Sequence, residues 1–255
     1  MNNSDLFDRK LCKKTALSQL KGNWKVPVLV SLIFLALLFL LNIGSIIDST
    51  RNSTFNYTND GHSFYFNFDA SPAQLSTTDY IEMGVSILTF LITGIFAIAF
   101  AKFFLDLSNG VKPTFDEFFK NLELWAKGVL EMLWSSLFIF LWSLLFFVPG
   151  IIKSIAYSQA FFILAEYPDV SVTQALKISQ KITKGYKSDL FVLDLSFIGW
   201  ELLCFLTAGI GFIWLLPYMQ TTKANAYKFL MKNAFEKNRV TYEELHKNFE
   251  SASSY

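Results

Sequence analysis

The sequence predicts an all-α fold: a polytopic membrane protein whose six transmembrane helices form three hairpins, each preceded by a cytoplasmic amphipathic interfacial helix. Of its 255 residues, 53% are apolar and 17% are charged, against ~25% charged in soluble domains. The apolar residues cluster into long runs that alternate with lysine-rich segments. A soluble protein of this size cannot bury so much apolar surface, so a bilayer must cover part of it.

The first unit begins with a basic segment, residues 1–25, which ends at Lys21-Gly22. Its leucines recur at roughly helical spacing and predict an amphipathic surface helix: Leu6, Leu11, Leu17 and Leu20. Residues 26–47 form the first span, since a helix crosses a ~30 Å hydrocarbon core at ~1.5 Å per residue. The polar residues 48–80 predict an extracellular loop, with a short β-hairpin as an alternative.

Residues 81–104 form the second span and complete the first unit. Thr114 and Glu117 match a capping box, which predicts the start of another surface helix. That helix is expected to end near Lys127-Gly128. Residues 129–148 follow as the third span.

Pro149-Gly150 is predicted to break the third span and begin a new helix. Residues 151–165 are apolar but short for a membrane crossing. We interpret them as the fourth span, because Lys153 and Glu166 can snorkel at its two ends and extend its reach.

The third unit begins at Ser171, which forms a capping box with Gln174, and its surface helix ends at Lys184-Gly185. A weakly apolar stripe marks the buried face of that helix: Val172, Ala175, Leu176, Ser179 and Ile182. Spans five and six follow at residues 190–207 and 210–229.

Orientation follows from the distribution of Lys and Arg. In the six-span layout twenty of the 22 basic residues lie on one side, leaving Arg51 and Lys153 on the other. The layout therefore predicts a multi-pass protein of the cell membrane with both termini in the cytoplasm. Residues 1–230 form one integral domain, and residues 231–255 form a cytoplasmic tail.

Two segments share glycine, isoleucine, tyrosine and glutamine at one spacing, sixty-one residues apart. They are Gly150-x-Ile152-x4-Tyr157-x-Gln159 and Gly211-x-Ile213-x4-Tyr218-x-Gln220. Together with the three similar units, the match predicts an internal duplication. The alternative is that short apolar helices resemble one another by composition alone.

Ionisable residues within the spans are candidate site residues, because each costs at least ~2.5 kcal/mol at membrane depth. We predict two possible pairs, Glu201 with Lys153 and Asp194 with Lys223. One interpretation is a polar pathway for an ion, a proton or a small solute. The other, which we expect first, is that ion pairs or protonated acids lock the helices together.

The polar members of the repeat, Tyr157, Gln159, Tyr218 and Gln220, are the second candidate set. Hydrogen bonding between membrane helices is their expected role, at ~0.6–2 kcal/mol each; a binding site at the repeat interface is the alternative. Four tryptophans are expected to anchor the membrane interfaces or pack between helices: Trp24, Trp125, Trp200 and Trp214.

No catalytic, metal-binding or cofactor-binding pattern is present in the two cysteines, the two histidines or the acids, so we predict no enzyme. The expected partners are the lipid bilayer, anionic lipid at the basic cytoplasmic face, and a membrane protein or a second copy; nucleic acid is not expected. The favoured function is a non-enzymatic envelope module that binds a protein, peptide or lipid. The alternative is a small transporter or transporter-like subunit with a polar path near Asp194 and Glu201.

Several motifs of the second half occur together: PGIIK, KGYK, LSFIGW and TAGIG-x-x-W-x-x-PY. With them the chain resembles the domain of unknown function 975 family, uncharacterised integral membrane proteins of Gram-positive bacteria. The resemblance covers most of the chain and is strongest over residues 146–220. It implies a helical membrane fold and no particular activity.

Overall fold

The computed structural model describes residues 7–52, 77–112 and 114–246, and over these ranges the chain is helical without a strand. A 3₁₀ turn, Asn121–Leu124, joins the fourth helix to the fifth. The α-helices are α1 (Arg9–Leu20), α2 (Lys25–Asn52), α3 (Thr77–Ser108), α4 (Phe115–Lys120), α5 (Trp125–Leu145), α6 (Phe147–Tyr157), α7 (Ala160–Glu166), α8 (Val172–Thr183), α9 (Lys187–Leu206), α10 (Phe212–Glu236) and α11 (Tyr242–Leu245). The predicted all-α class is confirmed.

Among the described residues, three helical stretches are long and apolar enough to cross a membrane: Asp79–Ser108, Phe115–Leu145 and Val148–Glu166. A fourth exists if α1 and the start of α2, which meet at 102°, form one broken span. The last two predicted spans correspond to α9 and α10, which are not in this group. α9 carries three acids, and α10 becomes polar along its length. Since neither helix is among the candidate spans, the six-span layout stays a prediction.

The surface of α3 changes character along its length. Its first half exposes large apolar side chains such as Ile81 and Ile87, whereas its second half, from Ile98 onward, is almost wholly buried. The 30 residues of Asp79–Ser108 extend about 45 Å at about 1.5 Å per residue, beyond the ~30 Å of a hydrocarbon core. The helix is thus long enough to cross a membrane and continue into a packed protein core.

That core joins the second half of α3 to α1, α7, α8 and the second half of α10. Its large side chains are less than 2% exposed and come from all five helices: Leu20, Phe103, Phe104, Ile163, Leu164, Ile178, Ile182 and Tyr227. Apolar side chains on α2, α5 and α9 are instead widely exposed. One part of the molecule is therefore a packed core, and the other exposes a largely apolar surface.

The packing of α1 corrects the predicted amphipathic stripe. Of the predicted leucines, Leu20 is buried as expected, but Leu11 and Leu17 are 59% and 47% exposed. Cys12 and Ala16 complete the buried face with Leu20. These residues recur every fourth position, and the two small ones let α1 approach its neighbours closely. α1 is thus a packed helix of the core, and Leu6 lies outside the described residues.

The second Lys-Gly step was also predicted wrongly. Thr114 and Glu117 form the predicted capping box, but the chain then passes through the 3₁₀ turn, and α5 runs through Lys127-Gly128 without ending. A Cβ on Gly128 would overlap the carbonyl oxygen of Gly94. This glycine therefore permits close contact between α3 and α5 instead of ending a helix.

The break before the fourth predicted span lies at Phe146, three residues ahead of Pro149. Phe146 is extended, with φ −160° and ψ 147°. A proline ring clashes with the carbonyl four residues earlier, and for Pro149 that residue is Leu145, where α5 ends. The stretch Val148–Glu166, interrupted between α6 and α7, is long enough for a span, as predicted for residues 151–165.

The helix predicted to begin at Ser171 is present as α8. The Ser171 hydroxyl accepts a hydrogen bond from the Gln174 amide, and every member of the predicted stripe is buried. The helix ends at Lys184, and Gly185 follows with φ of +90°, a conformation that favours glycine.

The predicted loop and tail boundaries both move. α2 and α3 extend into the predicted loop of residues 48–80, whose central part, residues 53–76, lies outside the described residues. The predicted boundary at residue 231 falls inside α10. After α10, α11 packs back onto the core with Leu245 1% exposed, so the described part of the predicted tail is folded.

Candidate functional site

Asp194 on α9 and Lys223 on α10 are brought together as the sequence predicted. The Lys223 Nζ lies 3.3 Å from the Asp194 Oδ1, with the two side chains 36% and 48% exposed. The pair therefore joins α9 to α10 at a partly open position.

The other predicted pair does not form, since Glu201 makes no ion pair with Lys153. The Lys153 ammonium lies 4.8 Å from the ring centroid of Trp142 and 5.8 Å from that of Tyr157. Both rings belong to the same helical hairpin as the lysine, and they attract its charge through their π faces. Glu201 is half-buried on α9.

In the first copy of the repeat, Tyr157 and Gln159 lie at the junction of α6 and α7, 6% and 4% exposed. The Gln159 amide donates to the Ser179 hydroxyl on α8 (3.2 Å), and that hydroxyl donates to the Ala156 carbonyl (2.7 Å). Both bonds use backbone groups of the hairpin and the Ser179 side chain, whereas the Gln159 side chain donates to the neighbouring Ser158 hydroxyl. The interhelical role expected of the Tyr157 and Gln159 side chains therefore stays a prediction.

In the second copy, Tyr218 packs edge-to-face on Phe197 of α9, with ring centroids 5.4 Å apart. Gln220 is half-buried two residues later. Tyr218 also lines a groove between α9 and α10. The structure does not gather the four into one binding site.

The glycines that open the repeat have equivalent surroundings. A Cβ on Gly150 would overlap the Ser143 side chain, and one on Gly211 would overlap Cys204. Each glycine thus packs on the residue seven positions earlier, across the break between two helices. The shared geometry supports the predicted duplication beyond its sequence match.

A contact between Glu166 and Tyr227 bears on the predicted duplication. The Tyr227 hydroxyl donates to the Glu166 carboxylate, and the two residues stand at equivalent positions of the repeat, sixty-one apart. Equivalent residues meet each other only near an axis that relates two copies. Under the predicted duplication, this partly buried contact would lie at the interface between the copies.

A groove of about 490 Å³ opens between α9, α10 and the turn from α1 to α2. We call it the tryptophan groove, because it includes three of the four tryptophans expected at interfaces. It is lined by Leu17, Trp24, Trp200, Leu203, Cys204, Thr207, Gly211, Trp214, Leu215 and Tyr218. No charged side chain is in the lining, so the groove suits an apolar ligand.

The tryptophan groove is part of the exposed apolar surface. Trp200, Leu203 and Trp214 are each more than half exposed. Basic residues flank one side, where Lys13 donates to the Ser196 carbonyl (3.4 Å) and lies over the Phe197 ring (4.0 Å). Lys21 is exposed in the turn between two lining residues.

A second groove, of about 400 Å³, is basic. This lysine groove lies where α8 ends and α9 begins, and it is lined by Lys177, Gln180, Lys181, Lys184 and Lys187. Lys181 also pairs with Glu244 of α11, which fixes the folded part of the tail beside the groove. Its charge suits an anionic group.

Glu131 is not among the site residues predicted from the sequence. The sequence did contain a signal for it, because Glu131 is an acid at the third position of the predicted third span, residues 129–148. The structure places it on α5 at 1% exposure. Within the described ranges, no cluster of three or more His, Cys, Asp or Glu side chains is arranged to hold a metal ion.

Comparison with known proteins gives one family. The family model of the proteins of unknown function DUF975 matches residues 1–155 and 147–234. No curated protein and no solved structure matches the chain. Since the two matches cover most of the sequence, the chain belongs to the DUF975 family, whose function is unknown.

Proposed function

We propose that this protein is a non-enzymatic module of the cell membrane that binds a phospholipid, with an acyl chain in the tryptophan groove. The observation that carries the proposal is the groove itself, whose lining has no charge. Its volume of about 490 Å³ falls within the ~300–1,000 Å³ of small-ligand sites.

The surroundings of the groove favour a lipid over a water-soluble ligand. Phe205, Leu206 and Ile210, at the turn between α9 and α10, are between 60% and 83% exposed. In a membrane protein such residues face hydrocarbon, so acyl chains have direct access to the groove. Tryptophan is also enriched where a bilayer meets water, which is where the head group of a bound lipid would lie.

Charge complementarity favours an anionic head group. Lys21 stands between Leu17 and Trp24. Lys14 is exposed on α1, one turn before Leu17. Basic residues at a membrane surface attract anionic lipid at about 1 kcal/mol each. We therefore propose phosphatidylglycerol-like lipids as the ligands, and the lysine groove as a further contact for anionic head groups.

The proposal includes the six-span arrangement with both termini in the cytoplasm. Three helices already have the length and composition of spans, and the basic residues divide twenty to two in this layout. α9 and the first half of α10 supply the third hairpin, and their acids are accommodated at partly exposed positions.

The transporter alternative requires a polar path near Asp194 and Glu201. Neither acid lines the tryptophan groove or the lysine groove, and Asp194 is engaged by Lys223. These contacts support the structural role of the acids, and with it a binding module in preference to a transporter.

Two neighbouring leucines of α9 provide a matched test. Leu203 lines the groove and is 54% exposed, whereas Leu202 is 60% exposed and lies outside the lining. Leu203→Trp fills the groove, and Leu202→Trp adds the same bulk elsewhere. By native mass spectrometry of the detergent-purified protein, we expect Leu203→Trp to weaken phosphatidylglycerol binding at least tenfold and Leu202→Trp to leave it unchanged. Equal binding by both variants would refute the proposal.

A further inference from the structure

Glu131 is the most deeply buried of the Asp, Glu, Lys, Arg and His side chains that the structure describes. It is 1% exposed, and every other Asp, Glu, Lys, Arg or His whose side chain the structure describes is at least 9% exposed. Its position is on α5, one turn after Gly128, where α5 meets α3. Neither groove includes it, so the proposed lipid site does not account for it.

The immediate surroundings of Glu131 offer it no compensation. Its Oε2 is buried without a hydrogen-bond partner. The backbones of α3 and α5 approach so closely at Gly94 and Gly128 that a Cβ does not fit between them. Ile98, which contacts the same point, is fully buried. The Glu131 carboxyl thus lies one turn from a tightly packed contact of two backbones.

Charged groups on α5 and on the elements packed against it are engaged elsewhere or exposed. Lys127 donates to the carbonyls of Pro168 and Val170. The others with partners are the Lys102–Asp106 pair, Lys153 over Trp142, Glu166 with Tyr227, and Lys181 with Glu244. The remaining charged residues on these elements are exposed. Lys127, four residues before Glu131, is directed to those two carbonyls, and no described cation pairs with the Glu131 carboxyl.

A buried carboxylate without a counter-charge or hydrogen bonds is strongly disfavoured against its neutral acid. We propose that Glu131 is a proton-binding site: its carboxyl holds a proton at neutral pH, and release of that proton to water opens the α3–α5 contact. The ligand is the proton alone. Ionisation would place a charge on a buried carboxyl whose Oε2 has no hydrogen-bond partner, so the two helices separate enough to let water solvate it.

Infrared difference spectroscopy of the full chain in lipid nanodiscs tests the protonation directly. At pH 7 we expect wild type to show the C=O stretching band of a protonated carboxylic acid, and Glu131→Gln to lose it. Glu123→Gln changes an exposed acid in the preceding 3₁₀ turn and serves as the control, with the band retained. Identical spectra for wild type and Glu131→Gln would overturn the proposal.

A titration of wild type keeps the proposal testable even if Glu131→Gln does not fold. We expect the carboxylic-acid band to disappear as pH is raised above neutral. In parallel, hydrogen exchange of the amides around Gly94 and Gly128 should accelerate at least tenfold beyond the base-catalysed increase seen for other buried amides. A spectrum without such a band at pH 7, or an α3–α5 contact whose relative protection is independent of pH, would contradict it. Neither result depends on whether lipid occupies the tryptophan groove.

Discussion

At the scale of single residues, glycines and one buried acid govern how the helices meet. Gly128 lies in the middle of α5, where glycine is normally unfavourable. Its lack of a side chain is what permits the backbone contact with Gly94. From the sequence, the same residue resembled the helix-ending glycines Gly22 and Gly185, which do adopt positive φ. A local pattern does not distinguish a turn glycine from a contact glycine, because the difference depends on a distant helix.

We predict opposite effects for alanine at two glycines of the α3–α5 region. Gly128→Ala should destabilise the protein by about 1–3 kcal/mol, the usual cost of overpacking. Gly84→Ala should stabilise it by up to about 1 kcal/mol, since Gly84 is in α3 with open space around it and alanine favours helix. Reversible unfolding in mixed micelles measures both changes, and a harmless Gly128→Ala would show that the two backbones are not in contact.

Tyr167, which follows α7, should make stability sensitive to alkaline pH. Burial, with the nearby Glu166 and Tyr242, raises the pKa of its phenol from 10.0 to about 12. The folded state thus binds this proton more tightly than the unfolded state, so its contribution to stability is complete below pH 10 and is lost as the pH rises towards 12. We expect Tyr167→Phe to remove this part of the pH dependence between pH 10 and 12. Equal pH profiles for the variant and wild type would argue against it.

At the scale of helices, capping signals and hydrophobic spacing predicted much of the structure. Thr114 and Ser171 begin helices as expected, and the stripe of α8 is buried in full. The face of α1 was predicted wrongly because its leucines indicated an interfacial helix, whereas Cys12 and Ala16 fit against neighbouring helices. Spacing identifies an apolar face only where one face is clearly more apolar than the others.

The short helix α11 should depend on its contacts with the core. Four residues cannot form a stable helix alone, and Leu245 is 1% exposed. Leu245→Ala should therefore release α11 and speed proteolysis of the C-terminal segment at least tenfold. Glu243→Ala alters an exposed residue of the same helix and should leave the cleavage rate unchanged. If both variants were cleaved at the wild-type rate, the packing of α11 would not control access to the tail.

At the scale of the whole molecule, composition predicted the helical class, and the charge distribution predicted an orientation. The Asp194–Lys223 pair was also predictable, since the two residues lie on consecutive helices. The tryptophan groove was not, although three of its tryptophans had been singled out. It arises because α1 and Trp24 come against α9 and α10, a contact between residues nearly two hundred positions apart.

The six-span layout makes a direct prediction about sidedness. A cysteine introduced at Asp60 should react with an impermeant maleimide added to intact cells, and one at Lys232 should react only after lysis. Background labelling is removed by replacing Cys12 and Cys204, both of which are buried. Labelling of both new cysteines from outside would place the C-terminal end outside the cytoplasm and contradict the layout.

The most direct test of the central claim is a high-resolution structure of the protein in nanodiscs that contain phosphatidylglycerol. The account predicts elongated acyl-chain density between Trp200 and Trp214, with the head group near Lys21. A groove closed by protein side chains, or open and filled with solvent, would contradict it.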